Sequence, residues 1–398
     1  MKHLIPIILL CSLIMCGCGE NQKKSSSLPV IDLNAQYPKK DIVLQEIADV
    51  EYISLNGKDA PLMGSVKIGY ISNDLYILYD QKIGDVFVIE KNGTVRSYFN
   101  QQGNGAKEYQ RLEHLTYDKN KREIYIVDIS GPNGIIVYSE EGKYIRNFPE
   151  HARQYIREIY DFDEETLLAY FQPLRHDPDN INCITPFVFL SKQNGEIITR
   201  LPLDFPERIY SRMIIDIEGL GPLGITFGTI NNRKYEDDFF IAEISSDTLY
   251  TLSANRRLIP VFTRTPSVHD KKLITLSVGL KTDKFLYMYS HEYDIEAIKE
   301  AAIKSQPTPQ GKSENYLYYL SNHEIIIPKI IDSNRPTKNT KIGMVNVSMA
   351  EKNMSADIYQ AEQLVKELEK RELAGKLKDV AQRLKADDNP VLMLIRYK

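Results

Sequence analysis

The sequence predicts an all-β chain folded as a six-bladed β-propeller, with short helical insertions and one longer helix near its C-terminus. Three observations predict it. Short apolar strands recur along the chain with turn residues between them. Through the first three units the recurrence is spaced at about 50 residues, the length expected of a propeller blade. Each end of the chain also supplies a strand, so the two termini can complete one shared blade and leave only short protected edges.

The N-terminal elements come first. Met1-Lys2-His3 gives a short positive start, and Leu4 to Met15 is apolar apart from Ser12 and Pro6. That run is too short for a spanning helix, which needs about 20 residues, and fits the apolar region of an export signal. It ends at Met15-Cys16-Gly17-Cys18. A small residue before a cysteine at this place resembles the lipobox of bacterial lipoproteins, with residues 1–17 as the signal and Cys18 as the lipid-bearing residue. Cys16, behind the bulky Met15, fits less well. Residues 18–40 are polar and mixed and read as a tether, and residues 41–398 read as the propeller.

The units follow in order. Leu75 to Tyr79 leads to Val86 to Ile89, the turn Asn92-Gly93 and Val95 to Phe99. Ile124 to Asp128 leads to Ile135 to Tyr138, the turn Glu141-Gly142 and Tyr144 to Phe148. Leu167 to Phe171 leads to Phe187 to Leu190, the turn Asn194-Gly195 and Ile197 to Leu201. Phe239 to Glu243 precedes Thr248 to Leu252 and Leu258 to Phe262; Phe285 to Tyr289 precedes, after an insertion, Tyr316 to Leu320 and Glu324 to Ile327. Asn-Gly between apolar runs is a strong hairpin signal, read here as a two-residue turn with both central residues at positive φ. Val50 to Leu55 and Val391 to Tyr397 are the terminal strands expected to meet in a sixth blade.

Two segments depart from the strand pattern. Ile295, Ile298 and Ala302 fall on one helical face within 294–304. Residues 355–386 carry a longer apolar stripe with Ser355 as N-cap, slipping near Ala374-Gly375. This helix either packs on a blade or docks a partner.

Composition narrows the function. The net charge of -4 argues against a nucleic-acid partner gripped by a basic surface. After cleavage only Cys18 and Cys183 remain, so the fold must stand without an internal disulfide. Tyr is abundant, at 25, and suits half-buried strands as well as faces that bind sugars or peptides. The histidines show no metal-site spacing, no Gly-x-Ser-x-Gly elbow is present, and no cofactor or metal is signalled. Gly219-Leu-Gly221-Pro-Leu-Gly224 matches a dinucleotide fingerprint only formally, because a strand-like run rather than a helix follows it. Cys183 reads as a small core residue in a strand-like run.

Gly103-Asn-Gly105-Ala-Lys-Glu108-Tyr109, followed by Leu115 to Asp118, Ile124 to Asp128 and Ile135 to Tyr138, resembles an NHL-type repeat. With Val50 to Leu55 and the tail Asn389-Pro390-Val391-Leu392 to Lys398, it resembles more closely the six-bladed β-propeller lipoproteins of Bacteroidetes. Ala106 and Lys107 depart from that family's loop, which has Pro and Gly there. The resemblance implies an exported propeller on a lipid anchor, and no reaction.

Two loops are candidate ligand sites. Arg175-His176-Asp177 lies in a polar insertion between two strands of one blade: Arg175 could grip a carboxylate or sulfate, and His176 with Asp177 a sugar hydroxyl or an ion. Glu108 can accept N–H bonds across its turn and Tyr109 can anchor between blades, with a ligand contact as the other reading. The sequence supports a non-catalytic binding or scaffolding lipoprotein of the outer membrane, on its periplasmic side, for a glycan, a peptide or a membrane protein. The rival is an extracytoplasmic propeller enzyme, a calcium-dependent lactonase or lyase acting on a sugar-derived substrate. It would need several carboxylate, amide or imidazole groups from different blades to converge.

Overall fold

The computed structural model describes residues 28–398 except 58–59, 152–153, 173–178, 206, 218, 220, 228–231, 236–237, 271, 341, 343–347 and 350–351. The recurring apolar runs form the six blades of a β-propeller. Strands Lys67–Ile71, Leu75–Tyr79, Asp85–Glu90 and Val95–Asn100 make the first blade. Leu112–Asp118, Glu123–Asp128, Ile135–Ser139 and Tyr144–Phe148 make the second; Ile156–Asp161, Thr166–Phe171, Phe187–Ser191 and Ile197–Arg200 make the third. The fourth runs from Arg233–Tyr235 through Asp238–Ile241 and Thr248–Leu252 to Leu258–Thr265. The fifth runs from Leu273–Lys281 through Phe285–Tyr293 and Ser313–Tyr319 to Ile325–Ile331.

The sixth blade closes the ring. Met354–Tyr359 pairs with Val391–Tyr397, and Val391–Tyr397 pairs on its other side with Ala48–Ser54, in register from Val391 opposite Ser54 to Tyr397 opposite Ala48. The two ends of the chain therefore share one sheet, as the terminal strands predicted. The short strand Ser348–Met349 bridges the inner strands of the first and fourth blades.

Each blade is apolar on both faces because it is packed between two neighbours, so its middle strands read as nearly unbroken apolar runs. Leu75–Tyr79 is buried along its whole length, and so is Thr166–Phe171. Between the first and second blades Tyr70 meets Tyr117 edge-on with ring centres 5.0 Å apart, and Leu115 and Tyr138 fill the same layer. Burying such a side chain contributes about 1.5–3 kcal/mol.

The turns between third and fourth strands differ from the expected two-residue type. Glu90 N–H bonds to Thr94 O at 2.9 Å across Lys91-Asn92-Gly93, and only the glycine has positive φ, at 87°. This is the longer loop that ends in a left-handed glycine and shifts the register by one residue, here between Val88 and Ile89. Gly142, at φ 77°, shows why glycine recurs at this place. A Cβ there would lie 2.3 Å from the Phe99 ring on the preceding blade, so both conformation and close approach exclude a side chain.

Two expectations are corrected. Within the stretch read as a tether to residue 40, Val30–Asp32 pairs parallel to the outer strand of the fourth blade, and Lys39–Val43 pairs parallel to that of the fifth. Ile31 is fully buried. The chain thus straps the fourth and fifth blades before it reaches the sixth, a non-local pairing that a short polar run does not announce. The helix expected over 355–386 is two helices, Ala361–Glu369 and Gly375–Ala381, preceded by the strand Met354–Tyr359. Ser355 is not a cap but a strand residue whose hydroxyl lies 2.9 Å from that of Tyr397. Pairing with the C-terminal strand overrides local helix propensity there, and Arg371 and Gly375, both at positive φ, mark the break near Ala374-Gly375. The expected helix at 294–304 is found as Ile295–Ile303, capped by Asp294, whose side chain accepts the Ala297 N–H at 2.9 Å. Cys183 is buried as expected, on a one-turn helix, Ile181–Ile184, rather than a strand.

Candidate functional site

Antiparallel order within each blade sends the connections after the second and fourth strands to one end of the ring. The others go to the opposite end. All the long insertions follow second or fourth strands, so they collect at the first end: the loop 101–111, residues 172–186, the segment 201–232, the helix-bearing 294–312 and the helix pair in 360–390. Two of them, on different blades, build a cleft of about 490 Å³.

One wall comes from the segment between third and fourth blades. It folds into a hairpin, Arg212–Ile217 with Gly221–Thr226, apart from the six blades. Leu223, Gly224, Ile225 and Thr226 border the cleft. Gly219 and Gly221, both at positive φ, belong to the turn region of this hairpin. The glycine pattern thus lies in a β-hairpin, with no helix following it among the described residues, which agrees with its rejection as a dinucleotide fingerprint.

The opposite wall comes from the fifth blade. Its second strand overshoots to Tyr293, and the insertion returns at Ser313, which pairs with His291. His291, Tyr293 and Ser313 face the cleft with Ile298, Thr308, Pro309, Gln310 and Gly311. His291 Nδ1 lies 2.6 Å from Ser313 Oγ, and its ring stacks at a tilt on Tyr293, with centres 4.3 Å apart. Tyr293 meets Phe227, at the foot of the hairpin, at 5.0 Å and ties the walls together. Burial lowers the His291 pKa, so the imidazole is neutral at physiological pH. The described lining residues are uncharged, with apolar, hydroxyl, amide and aromatic groups together, the mixture that small-molecule and peptide sites use.

A second cavity, of about 510 Å³, lies at the other end between the fifth blade and the N-terminal strap, lined by Ile42, Ile47, Phe285, Leu317, Leu320 and Lys398 among others. Its walls are residues that close the ring. The cleft is built from insertions the ring does not need, which favours it as the ligand site.

The inner strands carry charged groups that are already engaged. Glu113 bonds to Arg157 and accepts from Gln81 at 3.0 Å; Lys192, nearly fully buried, bonds to Asp118 and Asp161. Tyr160 donates to Glu158 at 2.7 Å, and Asn232 donates to the same carboxylate at 3.2 Å. Burial pushes the His114 pKa down to about 3. These groups hold blades together. Among the described residues no set of three His, Cys, Asp or Glu side chains is placed to hold a metal ion.

Of the residues singled out in the sequence, Cys18, Arg175, His176 and Asp177 lie outside the described residues. Glu108 and Tyr109 are at the insertion end. Glu108 Oε2 accepts the Gly105 N–H at 2.8 Å, and the Tyr109 hydroxyl donates to Gly84 O and accepts from Gln101 N–H at 3.0 Å. Tyr109 is fully buried, so both side chains are engaged in holding their own loop. Sequence reasoning missed His291, Tyr293 and Ser313. The signal present was the length of the insertion after Tyr289, read only as a helix.

The fold defines the class: a six-bladed β-propeller with its insertions gathered at one end. The chain belongs to DUF4934, a domain family of unknown function whose profile matches residues 28–396. No curated protein matches it. Among solved structures, a Bacteroides fragilis protein described as exported is 14% identical, covers 94% of this chain and 100% of its own, and superposes with a TM-score of 0.63. A DUF4221 member from Bacteroides vulgatus is 10% identical over 89% of this chain and 99% of its own, at a TM-score of 0.48.

Proposed function

We propose that the protein is a lipid-anchored extracytoplasmic binding module. Cys18 carries the lipid, the anchor lies in the outer membrane with the propeller on its periplasmic side, and the insertion-end cleft takes the ligand. The observation that carries the binding role is the uncharged cleft itself: two insertions from different blades, tied together by Tyr293 on Phe227, enclose a space lined by His291, Ser313, Gln310, Leu223 and Ile298. Export is supported by the signal-like N-terminus, and the Bacteroides fragilis protein of the same fold is described as exported.

The test is a binding screen of glycans and peptides on the chain from Ser25, which carries every described blade, beside the Tyr293→Ala variant. Ligands captured by the parent chain and lost in the variant, with an unchanged melting temperature, support the cleft. Ligands captured equally by both would place binding elsewhere and sink the reading.

A further inference from the structure

We propose that the cleft takes an extended, uncharged peptide segment that adds as a third strand to the free edge of Gly221–Thr226. This rests on the cleft being the ligand site and names its occupant.

Among the described residues Gly221–Thr226 is paired on one side only, with Arg212–Ile217. Backbone parity shows what its other side offers. Pro222 has no N–H, so its pairing with Asp216 must be a wide one that exchanges no hydrogen bonds. Phe227 N–H donates to Ser211 O at 2.8 Å, which fixes the same phase from the other end of the strand. Leu223 and Ile225 therefore bond inward to the hairpin. Gly224 and Thr226 turn their N–H and C=O groups outward, and both residues are exposed. Among the described residues none accepts or donates to those outward groups.

The outward edge faces the cleft. Side chains alternate across a strand, yet the consecutive residues Leu223 to Thr226 all border the space, which happens when a strand lies edge-on to it. Donor and acceptor pairs at every second residue match the backbone of another strand, and main-chain bonding of this kind is how exposed sheet edges capture extended peptides. Charge selects further. Among the described residues the lining holds no Lys, Arg, Asp or Glu, so an ionised side chain entering it would lose hydration without a partner there. Tyr293 and Ile298 offer apolar contact and Ser313 and Gln310 hydrogen bonds to the side chains of an uncharged segment. About five residues, an ordinary strand length, would fill the edge. An open edge invites indiscriminate pairing, and Pro222, which can donate no hydrogen bond, blunts one end of it.

The glycine supplies the test. A Cβ on Gly224 meets nothing within 4 Å, so Gly224→Ala keeps both the fold and the outward N–H. Gly224→Pro keeps the inward ladder, as Pro222 already does in the same phase, but removes the outward donor. The full-length protein in detergent would be titrated with capped, uncharged heptapeptides rich in Val, Thr, Ser and Ala, and with neutral oligosaccharides. The expectation is peptide binding kept within about threefold in Gly224→Ala and weakened at least about tenfold in Gly224→Pro. In the parent protein, amide exchange at Gly224 and Thr226 should slow on peptide addition, a readout that stands even if the proline variant misfolds. Equal binding by a folded Gly224→Pro, or by peptides N-methylated at alternate residues, overturns strand addition. Oligosaccharides bound in a Tyr293-dependent way, with no peptide bound, overturn the peptide and leave the cleft as the ligand site. Binding of neither class overturns both.

Discussion

Tyr109 shows how one side chain can fasten a loop to a blade. Its hydroxyl serves both Gly84 O and Gln101 N–H while its ring is fully buried. Tyr109→Phe should cost about 1–2 kcal/mol, because a buried carbonyl and a backbone N–H lose their partner, and a urea titration would measure it. Glu367 makes a pH-dependent contribution. Burial alone would raise its pKa, but bonds from Arg335 at 2.7 Å and Lys338 at 2.8 Å outweigh burial and hold it at about 2, below the ordinary 4.5. The folded value lies below the unfolded one, so this stabilisation is complete above about 4.5 and is lost as pH falls towards 2. Glu367→Gln should lower stability at neutral pH by about 2–3 kcal/mol and flatten the acid limb. Denaturation midpoints at neutral pH and at about pH 3 would check both. If Cys18 bears the proposed lipid, Cys18→Ser should abolish labelling by a fatty-acid probe; labelling that persists would count against the anchor.

At the scale of elements, local pattern announced strands well where both of their neighbours were also strands. The second, third and fourth strands of the first five blades stand out because they are apolar runs separated by turn residues. The inner strands were less visible. Leu112–Asp118 and Ile156–Asp161 carry Glu113, Glu158 and Asp161 among apolar residues, since near the axis they pair charges with neighbouring blades. Gly142→Ala should cost about 1–3 kcal/mol through its left-handed backbone and the approach of Phe99, and thermal unfolding would show it. The N-terminal strap makes an element-scale prediction too. A chain beginning at Asn34 loses Val30–Asp32 and the buried Ile31 and Leu33, at a cost of about 2–4 kcal/mol. It should remain folded, because the outer strand of the fourth blade keeps its inner neighbour. A collapse of its β circular dichroism would refute that.

At the scale of the molecule, closure depends on a strand that is central in its blade. Val391–Tyr397 is paired on both sides, so a chain ending at Pro390 strands both Met354–Tyr359 and Ala48–Ser54. It should give no protease-resistant monomer, which size-exclusion chromatography and limited proteolysis would show. The meeting of the two ends was legible in the sequence, as were the repeat, its turn glycines and the helix at Ile295–Ile303. Each is recorded within a few neighbouring residues, in the alternation of apolar and turn positions. The candidate site was not legible. His291 and Ser313 share a strand pair, but Leu223 and Gly224 reach them from the hairpin between the third and fourth blades, about 70 residues away in the chain. Local pattern along the chain already set what kind of units form and that they close a ring. Which insertions share an end, and which strand edge meets the cleft, followed from the packing of separate blades around an axis, which no local preference of the chain records.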